Sequence, residues 1–335
     1  MPYYIKKTYD KTNAMTTEKL NTEFINLIKE KLPVSANLAN TLMDILFLGK
    51  EAIYRRLRGE VPFTLAEAAA VSRKLGVSLD ELIGSSFQGN ALFNLNFIQQ
   101  DDLIKTYSSI VDTYVNLFRN VKEEPNSCLY SSSNLIPQTS YLKYDMLSKF
   151  RLFKWVYQHN NQAEFIRCFD DTDMPKNLLD SQKAFVEESQ GFSRTCYIWD
   201  DRIFYYLAND IRYFIEIGLI SKGNATKLKD EILALLDELE TIAEQGRFKT
   251  GKKVEIYISN INFEATYSYV ASDYFNICLV RLFAINSITS QDPKVVKSIK
   301  EWILSLKKFS TLISQSGEMQ RIQFFAKQRE LIKSL

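Results

Sequence analysis

Closely spaced helix stops and a capping box constrain the fold of this chain more than any other feature. A cationic segment, residues 50–58, is followed by Gly59, and glycine readily adopts the left-handed conformation that follows a helix. Thr64 then starts a second helix, because Thr64 and Glu67 form the T-x-x-E pattern in which each side chain bonds a free backbone N–H. Gly76 ends that helix. This stretch therefore predicts two short helices with well-defined ends.

Similar signals surround this stretch. Ser78 and Glu81 form a second box of the same type and predict a further helix. Upstream, apolar residues at helical spacing predict one helix that ends before Pro33 and another that begins near Ser35 or Asn37. The apolar positions are Leu20, Phe24, Leu27, Ile28 and Leu32 in the first helix, and Leu38, Leu42, Ile45 and Leu46 in the second. We therefore expect five short helices, of which the third is rich in Arg and Lys.

The order and spacing of these helices resemble the lambda-repressor-like (Xre-type) helix-turn-helix domain. The resemblance covers roughly residues 17–84 and is strongest over residues 53–82. It implies that residues 1–86 form a DNA-binding domain whose third helix lies in the major groove. Beyond this region the chain resembles no family that we recognise.

The sequence departs from the pattern of this family at four positions. Met43 stands where the second helix usually has a small residue, and Phe47 stands in the turn where glycine is usual. Gly49 replaces the usual Ser or Thr cap, and Arg56 occupies a position that is often apolar. A large residue at position 47 could alter the angle between the second and third helices, so these changes bear on the geometry of DNA docking.

The exposed side of the third helix is expected to contact DNA. By similarity to the family, Lys50, Glu51 and Arg55 fall where base edges are read. Arg forms bidentate bonds with guanine, and both Arg and Lys neutralise phosphate. The full set of candidate DNA-binding residues is Lys50, Glu51, Tyr54, Arg55, Arg56 and Arg58. The alternative is that the arginines form only solvated ion pairs with nearby glutamates, namely Glu51, Glu60 or Glu67.

Net charge gives this domain little help in binding DNA. Residues 1–86 contain 12 Lys and Arg against 10 Asp and Glu, a net charge of +2. Affinity must then come from local clustering of charge. A dimer would place two recognition helices about one DNA turn, roughly 34 Å, apart and would strengthen binding. The expected partners are therefore double-stranded DNA and a second copy of the chain.

The remainder of the chain is expected to be mostly helical. Residues 87–100 break the helical periodicity and are interpreted as a linker, and residues 101–335 as a dimerisation and sensor region of one domain or two. Alternating apolar residues predict a short β unit near residues 194–200 and 253–271. The predicted fold class is mainly α: a five-helix lambda-repressor-like domain plus a larger helical domain with a small antiparallel sheet.

Aromatic residues concentrate around the predicted strands. Pockets are lined in this way, but so are ordinary cores, and the core interpretation is favoured for most of them. The candidates for a ligand site are Tyr197, Trp199, Tyr257, Tyr267 and Tyr269. The effector would be a small molecule or a peptide, and sensing would change the distance or angle between two DNA-reading domains.

The sequence offers little evidence for catalysis, metal binding or a membrane. The single histidine, His159, lies at a predicted helix end, and no catalytic or nucleotide-binding motif is present. The four cysteines are scattered, which is typical of reduced thiols in a cytoplasm. There is no apolar run of about 18 residues and no secretory leader. We therefore expect a cytoplasmic protein that is not an enzyme and has neither a cofactor nor a metal.

These observations favour a sequence-specific, dimeric transcriptional regulator. The alternative is a protein–protein interaction module whose helix-turn-helix no longer binds DNA. Steep salt dependence of DNA binding would support the first, because phosphate contacts release counterions. Indifference to DNA, together with a stable protein partner, would support the second.

Overall fold

The computed structural model describes residues 17–31, 37–77, 79, 82, 91, 93–96, 103–159, 168–282 and 287–335. The chain divides into two compact units, residues 1–92 and residues 93–335. Across the described part of the chain, no helix combines the length and the apolar character that a membrane crossing needs.

The N-terminal unit is helical. Its helices are α1 (Thr17–Lys31), α2 (Leu38–Leu46), α3 (Lys50–Leu57) and α4 (Leu65–Leu75). Helix α2 packs against both α3 and α4, and the fully buried side chains at the centre include Ile28, Leu42 and Ile53. The predicted fifth helix was expected to open at Ser78 and Glu81, which lie outside the described residues.

The predicted helix boundaries in this unit are confirmed where the structure describes them. Asn37 caps α2 by accepting a hydrogen bond from the Asn40 N–H. Thr64 and Glu67 form the predicted capping box at the start of α4. Gly76 follows α4 with a φ of 68°, a left-handed value that favours glycine. These local contacts define the ends of the short helices.

The C-terminal unit alternates helices with strands. Its helices are α5 (Leu103–Val121), α6 (Gln138–Tyr141), α7 (Asp145–His159), α8 (Lys176–Ser189), α9 (Tyr205–Glu216), α10 (Lys222–Gln245), α11 (Pro293–Leu306) and α12 (Glu318–Lys333). Its strands are β1 (Asn94–Asn96), β2 (Cys128–Ser133), β3 (Arg194–Asp200), β4 (Lys253–Ser259), β5 (Tyr267–Ala271), β6 (Asn276–Arg281), β7 (Ser287–Ser290) and β8 (Ser310–Leu312). His159 is the last residue of α7, as its sequence context predicts.

The strands form one eight-stranded mixed sheet in the order β1-β7-β6-β5-β2-β3-β4-β8. The prediction of a small antiparallel sheet in a mainly helical domain is therefore wrong. Strands β2, β3 and β4 run parallel, and the other neighbouring strands pair antiparallel. Parallel neighbours need long crossovers, which α6 to α8 provide between β2 and β3, and α9 and α10 provide between β3 and β4.

The predicted β unit contained real strands with the wrong partners. Strands β4 and β5 do not pair, because β2 and β3 lie between them in the sheet. Strand β3 is buried at every position after Arg194, a pattern typical of a parallel strand covered on both faces. Strand β1 falls within residues 87–100, interpreted above as a linker, and pairs with β7 at the sheet edge.

Helices cover the two faces of the sheet unequally. One face packs against most of the helices of this unit and contributes Leu129, Tyr197 and Val254 to the larger core. The other face carries Cys196 and Tyr269 and is covered by α11. Adjacent residues of one strand therefore belong to different cores. The position of an aromatic residue along its strand thus determines which of the two cores it joins.

Candidate functional site

Helix α3 has one buried side and one exposed side. Ile53 is fully buried in the core of the N-terminal unit, together with Leu42 of α2. Lys50, Tyr54 and Arg58 are spaced by four residues and are exposed, so they form a stripe along the helix. The Lys50 ammonium lies 5.9 Å from the centre of the Tyr54 ring. The stripe presents cationic and aromatic groups to solvent.

Carboxylates neutralise much of the charge at the end of α3. Arg58 donates from Nε to Glu60 Oε1 at 2.6 Å and from Nη2 to Glu51 Oε1 at 3.1 Å. Arg55 Nε lies 3.4 Å from Glu60 Oε2. The hydrogen bond from Arg58 holds the pKa of Glu60 below its ordinary value. The alternative of solvated ion pairs therefore describes the contacts of Arg55 and Arg58 in the free protein.

Arg56, one of the DNA-binding candidates, differs from the other cations of α3 in its contacts. Its Nη2 and Nε atoms bond the two carboxylate oxygens of Glu67 at 2.7 and 3.1 Å. Its Nη1 atom donates to the carbonyl of Ala52 at 3.1 Å. The side chain is 14% exposed. Arg56 thus ties α3 to the capping box of α4, because Glu67 also accepts from the Thr64 N–H.

The turn between α2 and α3 contains an unusual residue. Phe47 has a φ of 53°, in the left-handed region that favours glycine, and its N–H donates to the Met43 carbonyl at 2.9 Å. The departure from the family noted at this position therefore keeps a glycine-like backbone with an aromatic side chain. That side chain is 91% exposed. The turn thus places an uncovered ring just before α3.

The five aromatic ligand-site candidates do not meet at one site. Tyr197 and Trp199 stack on the face with the larger core, with ring centres 6.2 Å apart. The remaining three, Tyr257, Tyr267 and Tyr269, belong to the opposite face, which α11 covers. Side chains two residues apart on a strand share a face of the sheet. The candidates on β3 therefore lie together on one face, and those on β5 lie together on the other. Most of this set packs in cores, as the competing interpretation proposed.

A cavity of about 460 Å³ lies elsewhere in the C-terminal unit. Its walls include residues 134–137, directly after β2, and residues 203–210, after β3. Residues 264–266, before β5, and Arg281, the last residue of β6, complete the same edge of the sheet. The cavity therefore lies at the carboxyl ends of parallel strands, the common place for a ligand in such sheets.

The cavity combines an apolar wall with basic groups. Its apolar lining includes Ile136, Pro137, Leu147, Phe150, Trp155 and Leu207. Two arginines, Arg151 on α7 and Arg281 on β6, also line it. Lys154 and Asp210, both in the wall, form an ion pair with each other, and the exposed Glu264 lines the cavity too. The wall thus carries three cations, Arg151, Lys154 and Arg281, against two carboxylates, Asp210 and Glu264.

Arg281 has an unusual electrostatic environment. Burial lowers its pKa to about 10, and the nearby positive charge of Arg151 lowers it too. Among the described residues, no carboxylate forms an ion pair with Arg281. Arg151 donates from Nη1 to the Tyr141 hydroxyl at 2.6 Å. Both arginines remain charged at neutral pH, so the fold holds two like charges beside one cavity.

Comparison of the chain with protein-family models, curated proteins and solved structures finds no match. The helix-turn-helix assignment therefore stays a prediction from the resemblance of residues 17–84. The arginine cavity was not predicted from the sequence. Its two arginines lie 130 positions apart in the chain, and the only local signal was a basic residue, Arg151, between the buried Phe150 and Leu152.

Proposed function

We propose that this protein is a sequence-specific DNA-binding transcriptional regulator whose N-terminal unit reads DNA with α3. The observation that carries the proposal is the two-sided character of this helix. Ile53 anchors one side in the core, while Lys50, Tyr54 and Arg55 are exposed on the other. An exposed helix of this kind, seated on a compact helical unit, suits insertion into a major groove.

The ion pairs on α3 are compatible with DNA binding. Exposed pairs such as Arg58 with Glu51 and Glu60 contribute little to stability, because water screens the charges. Exchanging such a carboxylate for a phosphate therefore costs little. The glutamates also repel the DNA backbone, so they limit non-specific affinity and leave more of the binding energy to base contacts. Arg56 has a structural role in this proposal, since Glu67 holds it.

The test is fluorescence anisotropy of the full chain with a pool of labelled genomic DNA fragments at two salt concentrations. Wild-type binding is expected to weaken as salt rises, because phosphate contacts release counterions. The double variant Arg55→Ala/Arg58→Ala should lose binding, at about 1–3 kcal/mol for each base contact removed. The variant Glu60→Gln should bind non-specific DNA more tightly than wild type, because it removes a repulsive charge.

A matched control separates this site from a general charge effect. The double variant Arg73→Ala/Lys74→Ala removes the same charge from exposed positions at the end of α4. It should retain most of the affinity. Equal losses in the two double variants, or no binding by wild type at low salt, would contradict DNA reading by α3.

The regulator is proposed to act as a homodimer in the cytoplasm. A unit with a net charge of only +2 in its first 86 residues gains affinity when two copies bind neighbouring half-sites. Light scattering should then give twice the chain mass of 38.9 kDa. A monomer at concentrations where DNA binding saturates would refute the dimer.

A second candidate function is a protein–protein interaction module. Phe47 favours it, because an exposed aromatic ring beside a charge-neutralised helix is typical of a protein-binding surface. The anisotropy series distinguishes the two, since an interaction module shows no salt-sensitive DNA binding and no response to Glu60→Gln.

A further inference from the structure

The cavity at the carboxyl ends of β2 and β3 has the form of a binding site. Its volume of about 460 Å³ falls in the range typical of small-molecule pockets. Its lining is mostly apolar, with few charged groups, and such groups commonly fix the orientation of a ligand. The walls come from several separate segments, so the site exists only in the folded unit.

The arginines need a physical explanation. Burying a cation is unfavourable unless an anion or hydrogen bonds compensate it, and placing it beside a second cation adds to the cost. Arg281 has Arg151 as a charged neighbour and, among the described residues, no carboxylate as an ion-pair partner. An anion bound in the cavity would offset the charge of Arg281.

We propose that this cavity binds a small organic anion, with its carboxylate or phosphate group on Arg281 and Arg151 and an apolar body along the hydrophobic wall. Guanidiniums bind both anions in bidentate fashion, which makes arginine well suited to this task. Phe150, Trp155 and Leu207 line the part of the cavity that receives the apolar body. The Lys154–Asp210 ion pair adds no net charge to the wall.

This site deepens the proposed function, and its role as an effector site rests on that function. Binding of an anion in the cavity does not depend on whether the protein reads DNA. Ligand binding is therefore measured without DNA, so that a failure of anion binding and a failure of DNA reading give separate results.

The experiment uses octanoate, octyl phosphate and the neutral octanamide with the full chain. Trp155 lines the cavity, so tryptophan fluorescence reports binding, and the unfolding midpoint provides a second readout. Octanoate or octyl phosphate should bind and raise the midpoint, since a ligand of the native state stabilises it. Octanamide should bind at least about tenfold more weakly, because it lacks the charge that the guanidiniums recognise.

Variants of Arg281 test whether this residue recognises the anion. Arg281→Gln should weaken binding of the anions about tenfold or more, and it should leave binding of octanamide unchanged. Arg247→Gln removes an arginine at an exposed position outside the cavity wall and should bind like wild type. Arg281→Lys retains the charge without the bidentate geometry and should give intermediate affinity.

Three results would overturn the proposal. Equal affinity for octanoate and octanamide would make this an apolar cavity without anion recognition. Anion binding that is unaffected by both Arg281 variants would place the anion elsewhere. No binding of any of the three probes to the folded wild-type chain would mean that the cavity does not accept this class of ligand. If Arg281→Gln fails to fold, Arg281→Lys and the comparison of probes on wild type still decide.

Discussion

Replacing Arg281 with methionine should stabilise the C-terminal unit in the absence of a ligand. The pKa of Arg281 falls from its ordinary 12.5 to about 10, first because of burial and then because of Arg151. Each pKa unit corresponds to about 1.36 kcal/mol, so the charged form costs about 3 kcal/mol in the native state. Methionine is shorter than arginine and carries no charge. The smaller side chain leaves part of the space unfilled, so we expect a net gain of about 1–3 kcal/mol.

The pH dependence has a definite sign. A base whose native-state pKa is lowered releases its proton earlier in the native state than in the unfolded chain. Between about pH 10 and 12.5 the unfolded state therefore holds more protons, and native stability from Arg281 rises with pH there. Below pH 10 both states are charged and the full cost is present. The gain from Arg281→Met should thus be constant from about pH 6 to 9.

Tryptophan fluorescence during urea unfolding measures this gain. All three tryptophans, Trp155, Trp199 and Trp302, lie in the C-terminal unit, so the signal reports that unit alone. In a thermal scan, each kcal/mol added to the free energy of unfolding should raise the unfolding midpoint by about 2–4 °C for a unit of this size. The control Arg247→Met, at an exposed position, should change stability by no more than about 0.5 kcal/mol.

An unchanged or lower midpoint in Arg281→Met would refute the reasoning. It would mean that the guanidinium is stabilised by partners in the unliganded fold, and that no anion is needed to explain it. A higher midpoint combined with lost anion binding would instead reveal a residue kept for binding at the expense of stability.

Three further predictions concern the N-terminal unit, with amide hydrogen exchange in α3 and α4 as the measurement. Thr64→Ala removes half of the capping box and should destabilise α4 by about 1 kcal/mol. The control Arg73→Ala, at an exposed position in the last turn of α4, should have little effect. Burial raises the pKa of Glu67, but hydrogen bonds from Arg56 and Thr64 outweigh it and leave the pKa below 4.5. Its contribution is therefore present above pH 4.5 and lost as pH falls through the lowered value, and protection in Glu67→Gln should be insensitive to pH in that range. Phe47→Gly should stabilise the unit by up to about 1 kcal/mol, since relief of the left-handed strain exceeds the added entropy of the unfolded chain; faster exchange would contradict this.

Local chemistry made the N-terminal helices predictable. The capping box at Thr64, the stop at Gly76 and the cap at Asn37 each depend on residues within one turn of the helix end. Such signals can be read from a short window of sequence. The contact of Arg56 with Glu67 spans 11 positions, and the sequence alone left open which glutamate each arginine would meet.

Sheet architecture was less predictable because pairing is a long-range property. The period-two pattern located β4, and the alternation of RTCYIWD located β3. Neither pattern shows that β3 lies between β2 and β4, since that depends on two helical crossovers. Strands β1 and β8 have three residues each, too few for any periodicity to be visible.

The cavity was missed for the same physical reason. Arg151 and Arg281 become neighbours only because β6 ends at the edge of the sheet where β2 ends, with β5 between them. In the sequence each arginine is an ordinary basic residue in an apolar context, without a motif. In the structure they stand out because two like charges lie beside one cavity, where the fold otherwise buries apolar groups. This placement conflicts with the general preference of a protein interior for apolar side chains. Such conflicts persist when a bound partner resolves them, and this is why we propose that a ligand binds at the arginines rather than at the tyrosines of the strands.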